Sequence, residues 1–500
     1  MKKKLLKQEN QCFYDSAPAG ADRAPGFSGP LPFRKMLRQL PVFIRKRLLL
    51  TLLTVPVLAG NIACEAAAAE TAGTKGVAAA QSGPVASSAA KPHSAKPASD
   101  ASGRAAGASA SGSSRNRPVS EFSVAVHLQA LEAQVETAGV DPEKMLAQML
   151  LVGFRGLGPG EKEYAADYAA FRDYVSQGKL GGVILFNRDH SSKSRVRNIL
   201  NPAQVKAMCA DLQAASPMPL FISVDQEGGR VRRLTPEAGF SDLPSPAEMS
   251  RLKIDMIYWR GLELGQELKE LGINLDFAPS LDLNVNPDNP VIGSLGRSFG
   301  RDPEEVARMG RFFMSGLNDA GVLGSYKHFP GHGSSRSDTH VEFTDITGSW
   351  QEDELAPYKL LMKRRGPYMI MLGHLFHSNF DPVYPASLSH AVATGLLRDR
   401  LGWQGVIISD DLQMKAIADH YSLEETIRLA IEAGNDIVLF GNNLAYDVEL
   451  PGKAHEAMLK LYREGKIGRE RIERSYRRIM ALKEWLAQSQ PLPGVGGGRR

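Results

Sequence analysis

The chain has 500 residues and a mass of 54.3 kDa, with 43% hydrophobic and 23% charged residues, values that exclude a wholly disordered, collagen-like or polytopic membrane chain. Of its three cysteines, Cys12 and Cys64 precede the folded part, which excludes a disulfide scaffold. The net charge of +5 is unevenly spread: residues 1–118 hold 17 Lys+Arg against 6 Asp+Glu, the remainder holds 43 against 49, and the body has no electrostatic footprint for nucleic acid.

Residues 1–65 read as a signal or membrane-anchor segment. Arg45-Lys46-Arg47 precede an apolar run from Leu48 to Ala63, the order of a positive n-region and an h-region. The run is shorter than the roughly 20 residues that cross a bilayer comfortably. Cys64 follows Ile62-Ala63, which resembles a bacterial lipoprotein cleavage site, with Asn61 where Leu is usual. Met36 offers a more ordinary signal-peptide start than Met1. The expectation is a protein of the cell envelope, acylated at Cys64 or held by an uncleaved anchor. Cytoplasmic residence is the alternative. Residues 66–118 contain no Leu, Ile, Met or aromatic residue and read as a disordered Ala/Ser/Gly/Pro linker, unable to bury enough apolar surface to offset its ordering entropy.

The body spans 119–490, and 491–500 reads as a flexible tail. Eight short apolar runs recur along the body: Met149–Phe154, Gly182–Phe186, Leu220–Val224, Ile273–Ala278, Gly324–Phe329, Tyr368–Leu372, Gly405–Ser409 and Asp436–Phe440. Helical patterns such as Ile257–Leu271, Pro303–Ala320 and Leu423–Ala433 lie between them. Buried strands alternating with amphipathic helices imply parallel pairing through crossovers. Eight such units predict an α/β fold, a single (β/α)₈ TIM-type barrel. An open doubly wound sheet is the runner-up.

Reactive residues follow the strand ends, where a barrel builds its active site. Asp225 opens the stretch Asp225-Gln226-Glu227-Gly228-Gly229-Arg230-Val231-Arg232-Arg233, and Gly296-Arg297-Ser298-Phe299 ends a long loop. Lys327-His328-Phe329-Pro330-Gly331-His332-Gly333 leads to Asp338-Thr339-His340. Gly373-His374 and Ser409-Asp410-Asp411-Leu412-Gln413-Met414 follow two further runs. Asp410 at a strand end can be a nucleophile, a base, a hydrogen-bond acceptor or a metal ligand. Asp411 is placed to cap a helix beginning at Leu412. Asp338 and His340 have the spacing of a dyad in which a carboxylate fixes the imidazole tautomer and raises its basicity; a surface histidine in a flexible loop is the plainer alternative. Asp225, Arg233, Arg297 and Lys327 supply the forks and carboxylates that grip sugar hydroxyls, or else a structural ion-pair network around the rim. His328 and His332 have a metal-like spacing, but Pro330 and Gly331 bar the helix that would align them. The Gly228-Gly229 pair marks a tight turn or a close backbone approach.

These segments resemble the N-acetylglucosaminidase branch of the β-N-acetylhexosaminidases of glycoside hydrolase family 3, over about Met145 to Phe440. The resemblance implies that Asp410 is the nucleophile and His340, paired with Asp338, the general acid/base. It implies that Asp225, Arg233, Arg297, Lys327 and His328 bind the sugar, and that no metal or organic cofactor is needed. Thr339 stands where Ser is more usual. The implied activity is retaining exo-hydrolysis of terminal β-linked GlcNAc, with GlcNAc-containing glycans or muropeptides as partners and no nucleic acid. A β-glucosidase-like exo-glycosidase and a non-catalytic wall-sugar-binding lipoprotein are the alternatives. Family members from Gram-negative bacteria are typically cytoplasmic, so the N-terminal segment stands against the commonest habit.

Overall fold

Every one of the eight apolar runs forms a strand. The computed structural model describes residues 121–190, 192, 196–362 and 366–489. The expected anchor, linker and tail lie outside these residues. In chain order the strands are β1 (Leu150–Gly153), β2 (Gly182–Ile184), β3 (Phe221–Val224), β4 (Leu275–Asp276), β5 (Leu323–Phe329), β6 (Thr344–Asp345), β7 (Tyr368–Leu372), β8 (Leu375–Phe376), β9 (Ile407–Ser409) and β10 (Val438–Phe440). Eight of them join in the order β10-β1-β2-β3-β4-β5-β7-β9, each neighbour parallel to the next. A parallel bridge between Ile408 and Ile437 closes the ring, with Asp436 N–H donating to Ile407 O at 2.7 Å and Ser409 N–H to Ile437 O at 3.1 Å. The fold is therefore a (β/α)₈ barrel and not an open doubly wound sheet. β6 and β8 pair separately, in the segments that follow β5 and β7.

The helices form where the sequence supplies both an apolar face and end signals. Pro303–Asp319 is capped by Asp302, whose carboxylate accepts Glu305 N–H. Its first turn carries Pro303, Glu304 and Glu305, favourable for backbone and dipole, and it buries Val306, Phe313 and Leu317. Ile254–Leu271 buries Ile257, Leu264, Leu268 and Leu271 and stops at Gly272, φ +84°. The two helices approach closely because glycines face each other. A Cβ on Gly261 would meet Phe313 O at 2.2 Å, and one on Gly316 would meet Tyr258 O at 2.2 Å. Leu423–Ala433 forms as expected. Among the described residues no helix is long and apolar enough to cross a membrane.

The C-terminal helix, Arg469–Gln488, closes the floor of the barrel. Lys483 Nζ donates to Gln148 Oε1 (2.5 Å), Gly181 O (2.9 Å) and Pro219 O (2.5 Å), and lies 4.7 Å from the centroid of the Phe221 ring. Its three acceptors precede β1, β2 and β3, so this is the N-terminal end of the strands. All the strands run the same way, so their C-terminal ends open together on the opposite face. The residues singled out above follow those ends.

Candidate active site

The loop after β3 is shaped by its own sequence. Gln226 Oε1 accepts from the N–H groups of Arg233 and Leu234, folding the Asp225–Arg233 stretch back on itself. Gly228 turns at φ +95°, where a Cβ would meet Pro244 O at 2.1 Å, so the glycine meets both a tight turn and a close approach. The turn presents Asp225 and Glu227 to Lys327, which is 2% exposed at the end of β5. Lys327 Nζ bonds Asp225 Oδ1 at 2.8 Å and Glu227 Oε1 at 2.6 Å. Arg233 Nη2 lies 3.5 Å from the other oxygen of Asp225. Arg297 grips Glu227 with two parallel bonds, Nε to Oε2 at 2.8 Å and Nη2 to Oε1 at 2.7 Å.

The network continues through the histidines. Arg297 Nη2 donates to His328 Nε2 at 3.2 Å, and His328 Nδ1 donates to Asp282 Oδ2 at 2.6 Å. Asp282 Oδ1 also accepts the N–H of His332 at 2.8 Å, pinning the Pro330–Gly333 turn. Burial alone would raise these carboxyls. Their partners win: Arg297 and Lys327 hold Glu227 down to about 2, Lys327 and Arg233 hold Asp225 below its ordinary value, and His328, through its Nδ1–H, does the same for Asp282. Among the described residues no group of three or more His, Cys, Asp or Glu is arranged to hold a metal ion.

Asp410 follows β9, and its N–H donates to Leu372 O at 2.9 Å, extending the barrel register by one residue. Its Oδ1 accepts the N–H of Asp411 at 2.8 Å. Burial pushes its carboxyl up, but the fields of His374, His328 and His340 outweigh this, so it is held ionised. These three histidines come from β5 itself (His328), the loop after it (His340) and the residues after β7 (His374). His374 is fully buried between Ser387 Oγ (2.7 Å) and Asp411 O (2.8 Å), which fixes the backbone beside Asp410.

His340 Nδ1 donates to Asp338 Oδ1 at 2.7 Å, and the same oxygen accepts His340 N–H at 2.8 Å. One carboxylate therefore shapes the turn and orients the ring. With Nδ1 so engaged, proton chemistry falls to Nε2. Both side chains are partly exposed, 28% for His340 and 18% for Asp338. Thr339, between them, is buried against His332 and its carbonyl accepts Ala416 N–H at 3.3 Å, tying the loop to the residues after Asp410.

The structure gathers all eight expected site residues at the C-terminal mouth. Asp411 departs from its expected place. It caps no helix: its Oδ1 accepts from Gln413 N–H and Gly441 N–H, clamping the loops after β9 and β10, and the next helix starts only at Lys415. Burial raises its carboxyl to about 6, in contrast to Asp410 beside it. Three residues given no role above prove central: Glu227, Asp282 and His374. Glu227 stood inside a motif already singled out; Asp282 carried no signal of its own.

The glycosyl hydrolase family 3 N-terminal domain model matches residues 142–482. β-Hexosaminidase A of Pseudoalteromonas piscicida is 30% identical over 402 residues, 74% of this chain; the match spans 64% of that relative's length. β-Hexosaminidase LpqI of Mycobacterium tuberculosis is 32% identical over 392 residues, covering 76% of this chain and 90% of that protein. A glycoside hydrolase family 3 β-N-acetylglucosaminidase from Paenibacillus sp. FPU-7 superposes with a TM-score of 0.62 at 35% identity, over 72% of this chain and 65% of that one. With a closed barrel whose strand ends carry the residues described, and a family match over most of the body, the chain belongs to glycosyl hydrolase family 3.

Proposed function

We propose that the protein is a retaining exo-β-N-acetylglucosaminidase that removes terminal β-linked GlcNAc from peptidoglycan fragments or related oligosaccharides. The observation that carries the reading is the pairing of an ionised strand-end carboxylate, Asp410, with the Asp338–His340 dyad whose imidazole lies within its electrostatic reach. The β-hexosaminidase relatives and the β-N-acetylglucosaminidase neighbour support the sugar.

Asp410 attacks the anomeric carbon while His340 Nε2 protonates the leaving oxygen. A covalent glycosyl-enzyme forms and the aglycone departs. His340, now neutral, takes a proton from water, which attacks the same carbon and releases the sugar with net retention. Asp338 holds the ring through Nδ1 at 2.7 Å and so directs Nε2 to the proton transfer. A neutral base beside the departing Asp410 carboxylate adds no second negative charge. Asp225, Arg233, Arg297, Lys327 and His328 hold the sugar hydroxyls. Asp225 presents a partly exposed carboxylate, while Glu227 locks Lys327 and Arg297 in place from below.

Paired aryl β-GlcNAc and β-glucoside substrates test the reading. Preference for the N-acetylated sugar supports it, preference for the glucoside favours a β-glucosidase-like enzyme, and binding without turnover favours a sugar-binding lipoprotein. We also propose an envelope location, supported by Arg45-Lys46-Arg47, the apolar run and Cys64. Fractionation of wild type and Cys64→Ala decides it. Lipid labelling that the variant loses supports acylation; both forms in the soluble cytoplasmic fraction alone would return the enzyme to a cytoplasmic role.

A further inference from the structure

In the scheme above, Asp410 attacks the anomeric carbon on one face, and His340 Nε2 protonates the oxygen that departs from the other. The leaving group therefore lies on the side of His340, away from the grip of Asp225, Arg233, Arg297, Lys327 and His328. The residues that continue the chain from His340 have no role in that scheme. Building on the glycosidase reading, we propose that Val341, Phe343 and Phe376, backed by the His420 ring, form an aglycone subsite that takes one pyranose ring of the leaving sugar.

Four tethers bring these residues together beside the dyad. Val341 and Glu342 both donate N–H to Asp338 O at 3.0 Å, so the chain turns directly after His340. It then pairs as β6 with β8, Thr344 against Leu375 and Asp345 against Phe376. β8 follows His374, whose Nε2 donates to Asp411 O at 2.8 Å, next to Asp410. Thr339 O accepts Ala416 N–H at 3.3 Å, which draws in the helix Lys415–Ala418 and, just after it, His420. Phe343 and Phe376 meet with ring centroids 5.2 Å apart and planes at 43°. The His420 ring stands edge-on to Phe343, at 5.9 Å and 80°.

These apolar groups are left in reach of solvent. Both phenyl rings are partly exposed, and Val341, next to His340, is 50% exposed. A single exposed apolar residue is ordinary, but two partly exposed rings in contact beside a proton donor make a surface that a ligand can cover. A pyranose ring is its complement. The sugar's C–H groups form an apolar face about as wide as a phenyl ring, while its hydroxyls point outward to water. Sites for small polar ligands pair such aromatic walls with a few polar groups, and here the polar groups are those of the catalytic mouth.

The test compares two substrates of the full chain, N,N′-diacetylchitobiose, whose leaving group is a pyranose, and methyl β-GlcNAc, whose leaving group has no ring. Both leaving groups are alcohols that need protonation, so damage to His340 slows both and leaves their ratio alone. The readout is kcat/KM for the disaccharide divided by that for the methyl glycoside, in wild type, Phe343→Leu, Phe343→Ala and Phe376→Ala. Phe343→Leu keeps apolar bulk against Phe376 and removes the flat face. Each variant is expected to lower the ratio about fivefold, mainly through KM of the disaccharide, the scale of one aromatic contact. The double variant Phe343→Ala with Phe376→Ala is expected to lower it further. Variants that slow both substrates equally show that the rings only brace the dyad loop; this overturns the subsite and leaves the proposed function standing. A ratio equal to that of wild type in every variant overturns the subsite as well. Wild type that hydrolyses the methyl glycoside but not the disaccharide has the same consequence. Wild type that hydrolyses neither overturns the proposed function and the subsite with it.

Discussion

Replacing Glu227 by Gln tests whether the cation cluster at the mouth of the barrel is held by one buried charge. Glu227 is 1% exposed and receives Arg297 at 2.7 Å and 2.8 Å and Lys327 at 2.6 Å. Removing one partner of such a buried pair costs about 3–5 kcal/mol. An amide oxygen still accepts from Arg297, which places this case at the lower end. The carboxyl itself gives an independent figure. Its depression from 4.5 to about 2 corresponds to about 3 kcal/mol of preference for the charged form. The folded-state value lies below the unfolded one, so this stability is complete above pH 4.5 and is lost as the pH falls towards 2. Urea unfolding of both proteins reads the difference directly, since a substitution that leaves the slope unchanged reports stability. The expected difference is about 3 kcal/mol at neutral pH, narrowing to about 1 kcal/mol at pH 3. Subtracting the two curves removes groups that titrate alike in both. A neutral-pH difference below about 1 kcal/mol, or one that does not change between the two conditions, would refute the reasoning.

Asp410→Ala should lose several orders of magnitude in kcat and Asp411→Ala far less, and a fluoro-sugar inactivator should label Asp410; label on Asp411, Glu227 or Asp338 removes the assignment. His340→Ala should slow substrates with poor leaving groups far more than activated aryl glycosides, with Asp338→Asn a weaker copy; equal losses across leaving groups mean that His340 is not the acid. Lys483→Met strips the donor from Gln148 Oε1, Gly181 O and Pro219 O, and should lower unfolding stability by about 3 kcal/mol or more while the folded fraction keeps its turnover. Unchanged stability would show that water serves those three acceptors as well as the amine does.

The barrel was legible because parallel strands buried on both faces are written as continuous apolar runs, and each run ended where its strand delivers a polar residue. Asp225 and Asp410 could be placed from that rule alone. The dyad was legible because its two members are neighbours in the chain. What stayed hidden depends on contacts between distant loops. Glu227 meets Arg297 across 70 positions, and Asp282 meets His328 across 46. No local pattern announces such a pair. Asp411 misled for the opposite reason: a helix-like stretch follows it, but the carboxylate is drawn instead to Gly441 N–H on the next loop. β6 and β8, two residues each, are too short for any periodicity to reveal.

The pairing of β10 with β1, Val438 against Leu150 and Phe440 against Val152, has a consequence for the order of biosynthesis. The first strand leaves the ribosome with its outer edge bare and stays so until the last strand is made, almost 300 residues later. Until then both rims of the nascent sheet can pair with any strand they meet. The strand that leads into Asp410, β9, borders the seam that closes last, through Ile408 and Ile437. A ribosome stalled ahead of β10 therefore holds a chain with Asp225, Arg233, Arg297, Lys327 and His328, the residues proposed to bind the sugar, all translated and the barrel that positions them still open. Chaperone protection during translation matters most for such a chain, because its ends must meet before its active site exists.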